Sequence, residues 1–113
     1  MHAESPAKLV YFRRELPPLH DETAGEFVVE AESPPVPNTG LGRDELWTHC
    51  YDDLMHSAVE RIGQEVVRLH GSCAHVVDEQ IEPKVSYERG EAWLWGMFTF
   101  VLYRHPGPST PAS

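Results

Sequence analysis

The stretch Ala92-Trp93-Leu94-Trp95-Gly96-Met97-Phe98-Thr99-Phe100-Val101-Leu102-Tyr103 restricts the fold of this chain more than any other part of it. Its aromatic and β-branched residues favour a strand. A strand sends alternate side chains to opposite faces. One face then carries Trp93, Trp95, Met97, Thr99, Val101 and Tyr103, and the other Ala92, Leu94, Gly96, Phe98, Phe100 and Leu102. Both rows are apolar, so both faces of this strand need a cover.

One cover is legible upstream. From Arg43 to about His70, apolar residues fall at Trp47, Cys50, Tyr51, Leu54, Ala58, Ile62, Val66 and Leu69. Steps of three or four residues predict one amphipathic helix, and Met55, Val59 and Val67 widen its stripe on one flank. Asp44 and Glu45 in the first turn, and Arg68 and His70 in the last, complement the helix dipole. Gly71 is the expected left-handed residue after the end. Such a helix is roughly 40 Å long, more than one small sheet usually covers, so part of it is expected to pack on another subunit. One helix shields only one sheet face. The other is expected to be covered by a second copy, which makes a homo-oligomer.

Two strands are predicted before the helix. Lys8–Leu16 is stopped by Pro17-Pro18, and Glu26–Glu32 is closed by Pro34, Pro35 and Pro37, with a loop over 17–25 between them. After the helix, Ala74–Ile81 predicts a strand ending near Pro83, with Lys84–Tyr87 continuing past a bend. Gly90 holds the tight position of the turn over 88–91. The expected fold is α+β: an antiparallel sheet of three to four strands with one long helix on a face, in the order β-β-α-β-β. Residues 8–104 form the domain, 1–7 a flexible lead and 105–113 a flexible Pro-rich tail.

Charge narrows the class. Nine Lys and Arg against eighteen Asp and Glu give a net charge of −9, spread along the chain. No basic cluster suits a phosphate backbone, so no nucleic-acid partner is expected. No apolar run reaches the roughly 18 residues of a membrane span, and the first residues lack the layout of a signal peptide. Cys50 and Cys73 are too few for a disulfide framework. A cytoplasmic domain is the expectation.

Three groups of residues could carry chemistry. His70, Cys73 and His75, with His49 upstream, offer soft ligands for zinc or copper. Packing also accounts for Cys73 as a small residue at a helix-to-strand turn, and for His70 at a helix end. Trp47, Trp93, Trp95 and Tyr87 could stack on a flat ligand or form an interface. Asp78, Glu79 and Glu82, with Asp52 and Asp53, could do acid–base work or hold a hard cation. No EF-hand spacing, His-Glu-x-x-His, Gly-x-Ser-x-Gly or phosphate loop accompanies them.

The segment Glu65-Val66-Val67-Arg68-Leu69-His70-Gly71-Ser72-Cys73-Ala74-His75-Val76-Val77, followed later by Glu91-Ala92-Trp93-Leu94-Trp95-Gly96, resembles the small bacterial YbjQ-like domains, a group labelled heavy-metal-binding. In these a long helix runs through a Gly-containing turn into a valine-rich strand. The resemblance spans roughly residues 26–104. It implies a dodecin-subunit-like β-α-β-β fold, with Lys8–Leu16 as an added strand, and a ring-forming or otherwise oligomeric protein. Cys73 stands where that pattern has Asp or Asn, and His75 where it has Val, so no ligand set is carried over. Dodecins bind flavin between aromatic side chains with a glutamine nearby, and Val76-Val77-Asp78-Glu79-Gln80 is similar to the stretch bearing that glutamine. Ala74 stands where the stacking aromatic would be.

The functional expectation is a non-enzymatic, homo-oligomeric binding domain using an aromatic sheet face, with Trp93, Trp95, Trp47, Tyr87 and Gln80 as its contacts. The alternatives are a metal site at His70, Cys73, His75 and His49, or a flavin or other flat ligand.

Overall fold

The two-faced strand lies inside the sheet, with neighbours on both sides. In the computed structural model, which describes residues 8–106, the elements are β1 (Val10–Phe12), β2 (Glu22–Glu32), β3 (Val36–Pro37), α1 (Arg43–Arg68), β4 (Cys73–Ser86) and β5 (Glu91–Arg104). The sheet order is β1-β4-β5-β2, and the two residues of β3 pair with the start of β5. β5 is antiparallel to β4, β2 and β3. β1 runs parallel to β4. The α+β class and the single long helix agree with expectation. The sheet does not: it is mixed and five-stranded. A three-residue edge strand has no pattern from which its direction could be read. The predicted lead lies outside the described residues, as does the predicted tail beyond residue 106.

Strand limits differ from the expected ones for local reasons. The first strand stops at Phe12, not Leu16, because a turn closes on it. The Phe12 amide donates to Glu15 Oε1 at 2.7 Å, and the Glu15 amide donates to the Phe12 carbonyl at 2.6 Å. β2 begins at Glu22, inside the predicted loop, with a register shift between Thr23 and Glu26. Gly25, at φ 125°, supplies the backbone shape that this bulge needs. At the other end, buried Ser33 donates its amide to the Leu94 carbonyl and accepts the Leu94 amide on Oγ, both at 2.9 Å. Thus Leu94 points both backbone groups toward β2. Its β4 partner Pro83 forms a non-hydrogen-bonded pair, and its nitrogen faces away from β5. β1 reaches only Val76, so among the described residues no strand pairs with that side of Pro83, and β4 runs on through the proline.

The helix lies across one face. Leu46, Cys50, Leu54, Ala58, Ile62 and Val66 are buried, a single every-fourth-residue row. They join Ala31, Ala74, Val76, Ala92, Leu94, Phe98, Phe100 and Leu102 in one core. Leu46 therefore takes the place predicted for Trp47, which is 37% exposed. Gly96 is needed inside β5: a Cβ there would stand 2.7 Å from the Phe98 ring and 3.4 Å from Leu54 Cδ2. Burial runs from one end of the helix to the other, so no part overhangs. β4 and β5 are fourteen residues each, about 46 Å at 3.3 Å per residue, long enough to carry it.

The helix ends in a Schellman arrangement one residue early. His70 donates to the Val67 carbonyl at 3.1 Å and Gly71 to the Val66 carbonyl at 2.8 Å. His70, not Gly71, takes the left-handed φ of 59°. Gly71 serves packing instead: a Cβ there would meet Leu102 Cδ1 at 2.4 Å. No helix among the described residues is long and apolar enough to cross a membrane.

Candidate functional site

With Leu94, Phe98, Phe100 and Leu102 under the helix, the opposite row of β5 faces away from it. Trp93, Trp95, Met97, Thr99, Val101 and Tyr103 are half-buried along this open face. Directly opposite residues of antiparallel strands share a face, which fixes the flanking rows. β2 contributes Glu26, Val28, Glu30 and Glu32. β4 contributes His75, Asp78, Gln80, Glu82 and Lys84. An aromatic and apolar strip thus runs between a β2 row that is mostly carboxylate and a mixed polar β4 row in which Asp78 and Glu82 are the carboxylates.

The tryptophans are tied to that frame. Trp93 Nε1 donates to Glu32 and Trp95 Nε1 to Glu30, each at 3.0 Å. Lys84 Nζ stands 5.1 Å from the centre of the Trp95 ring, a cation–π contact. The Gln80 amide donates to Glu82 at 2.6 Å. That bond, helped by Lys84, holds the Glu82 carboxyl below its ordinary range.

The β1–β2 connector crosses one end of this face. β1 and β2 are opposite edges of the sheet, so residues 13–21 must pass from one to the other. His75 Nε2 lies 3.2 Å from the Arg13 carbonyl, and Ser72 Oγ donates to Asp21 at 2.7 Å. Cys73 lies between these two anchors and is buried although it faces away from the helix core. Burial pushes its thiol above the ordinary range, which opposes the thiolate needed of a metal ligand or nucleophile.

The predicted aromatic residues do not form one site. Trp93 and Trp95 share the open face, two residues apart, and Gln80 is beside Met97 on the same face. Trp47 lies in the helix layer on the other side of the sheet, stacked on Tyr51 with ring centres 5.6 Å apart. A single chain cannot sandwich one flat ligand between Trp47 and the strand tryptophans. Tyr87 is 88% exposed at the β4–β5 turn. Ala74 belongs to the helix-side core, away from Gln80.

Nor does the structure gather the predicted metal ligands. His49 is exposed on the helix, His70 is exposed at the helix end, Cys73 is buried, and His75 is half-buried against Arg13. Among the described residues, the His, Cys, Asp or Glu group whose ligand atoms converge within 4.8 Å is His20, Asp21 and His105. The sequence offered only the His20-Asp21 neighbours as a hint, with His105 assigned to the tail. The Asp21 side chain is fully buried. The Ser72 hydroxyl, and after it His105, holds its carboxyl below the usual range.

An apolar groove of about 900 Å³ lies between β1 and α1, lined by Leu9, Val10, Phe12, Val59, Gly63 and Val67. Lys8 and Glu15 at its rim are paired with each other, so they do not form a convergent polar set. No family model, curated protein or solved structure matches the chain.

Proposed function

We propose that the chain is a non-enzymatic binding domain that works through its open sheet face. The partner that this face fits presents apolar side chains framed by lysine or arginine. The observation that carries the reading is the Trp93–Tyr103 row, on an inner strand, with carboxylates on both flanks and, among the described residues, no helix above it. Aromatic side chains are the commonest anchors of protein interfaces. Opposite charge around such a centre steers encounter and selects the partner.

A second copy of the chain is the other reading, favoured by the length of the same apolar row. Face-to-face pairing of two copies would bring like carboxylate rows together. Salt separates the two readings, because it screens exposed charges over about 10 Å at 0.1 M. Added salt strengthens self-association through this face and weakens capture of a cationic partner. Sedimentation velocity at low and high salt reads the first. Calorimetric titration with an amphipathic peptide of alternating lysine and leucine reads the second. Saturable one-to-one binding that weakens with salt supports the cationic partner. A salt-strengthened dimer with no peptide binding supports the copy. A monomer that binds no peptide at any salt removes both.

A further inference from the structure

We propose that His20, Asp21 and His105 form a binding site for one divalent transition-metal ion of the zinc type. This inference is independent of the sheet-face reading. The ligand atoms come from two places far apart in the chain: His20 and Asp21 end the β1–β2 connector, and His105 follows β5. Asp21 Oδ1 lies 3.0 Å from His105 Nδ1 and 3.6 Å from His20 Nε2. Two metal bonds of about 2.1 Å, opened to angles between a right angle and a trigonal one, set their ligand atoms about 3.0–3.6 Å apart. The carboxylate oxygen therefore already stands at coordination spacing from both imidazoles.

The surroundings suit an ion as well. The second Asp21 oxygen accepts the Ser72 hydroxyl at 2.7 Å, the outer hydrogen bond that orients a ligating carboxylate. The Asp21 side chain is fully buried, while those of His20 and His105 are 76% and 73% exposed. A buried carboxylate is rare unless it is paired. Here it forms the floor of a pair of imidazoles that open to solvent, which gives an ion a way in and leaves positions for water. Two nitrogens and one oxygen favour zinc-type ions over calcium or magnesium, which prefer oxygen alone. The ion would fasten the connector to the end of β5, where the connector crosses the open face.

The test is a calorimetric titration of zinc ion into the full chain, free of any histidine tag and stripped by chelator. The expected result is one ion per chain. His20→Ala and His105→Ala should each weaken binding by about tenfold to a hundredfold, while Cys73→Ser and His75→Ala leave it unchanged. His105→Ala also removes the imidazole 3.0 Å from the buried Asp21 carboxylate and should lower the unfolding temperature without zinc, so the readout is the gain in stability on adding zinc, which only the parent should show. Undiminished binding in both variants, no saturable binding, or loss only in Cys73→Ser or His75→Ala would each overturn the proposal.

Discussion

Trp95 Nε1 donates to Glu30 Oε1 at 3.0 Å, across the β5–β2 pair and one step diagonal to the residue directly opposite Trp95, which is Glu32. Trp93 repeats the relationship with Glu32. The indole donor of each tryptophan on the open face is thus satisfied within its own chain, at its edge, which keeps a polar atom from opposing burial of the ring by a partner.

This predicts a spectroscopic effect. In a Trp47→Phe background, Glu30→Ala should loosen the Trp95 indole and shift its emission to longer wavelength, with little change in stability. Unchanged emission would show that the bond does not hold the ring.

The end of the helix yields a paired prediction. His70 holds a left-handed φ that costs an L-residue about 1–2 kcal/mol, partly offset by the entropy a glycine would lose. His70→Gly should stabilise the chain by about 0.5–1 kcal/mol in urea unfolding. Gly71→Ala should destabilise it by about 1–3 kcal/mol through overpacking on Leu102. The reverse pattern would return the left-handed position to Gly71.

The buried row of the helix can be tested at neighbouring residues. Leu46→Ala should cost about 2–3 kcal/mol, because Leu46 is 5% exposed. Trp47→Ala should cost about 1 kcal/mol, chiefly its stacking on Tyr51. Equal losses at both residues in urea unfolding would contradict this assignment of the core.

These neighbours also show what the sequence disclosed. The helix, its length and the two faces of β5 were legible because hydrophobic period survives folding unchanged. The choice between Leu46 and Trp47 was not, since both lie within one residue of the stripe and only the twist of the sheet decides. The direction of β1, the passage of β4 through Pro83 and the shift of the left-handed position to His70 depend on neighbours distant in sequence. So does the meeting of Asp21 with His105, which are 84 residues apart. The metal ligands expected near the helix end were adjacent in sequence but point to different surroundings.

Acid should act on the turn after β1. The Lys8 ammonium, and next the Phe12 amide, hold the Glu15 carboxyl below the ordinary glutamate range. A group whose folded value is depressed contributes stability above its unfolded value, and that contribution is lost as pH falls through the folded one. The Phe12 amide should therefore keep its bonded NMR shift through the ordinary glutamate range and lose it only at lower pH. Titration of that shift at or above the ordinary value would contradict the pairing.

The most direct measurement for the open face compares two double variants in one calorimetric titration with the lysine–leucine peptide. Trp93→Ala with Trp95→Ala removes aromatic anchors from the open face, and Trp47→Ala with Tyr51→Ala removes them from the helix side. The first pair should weaken binding by about thirtyfold, the loss of roughly 2 kcal/mol expected for interface anchors. The second should leave it within about twofold of the parent, since those residues lie across the sheet from the proposed surface. Unchanged binding in the first pair, or a comparable loss in the second, would contradict a binding role for the open face.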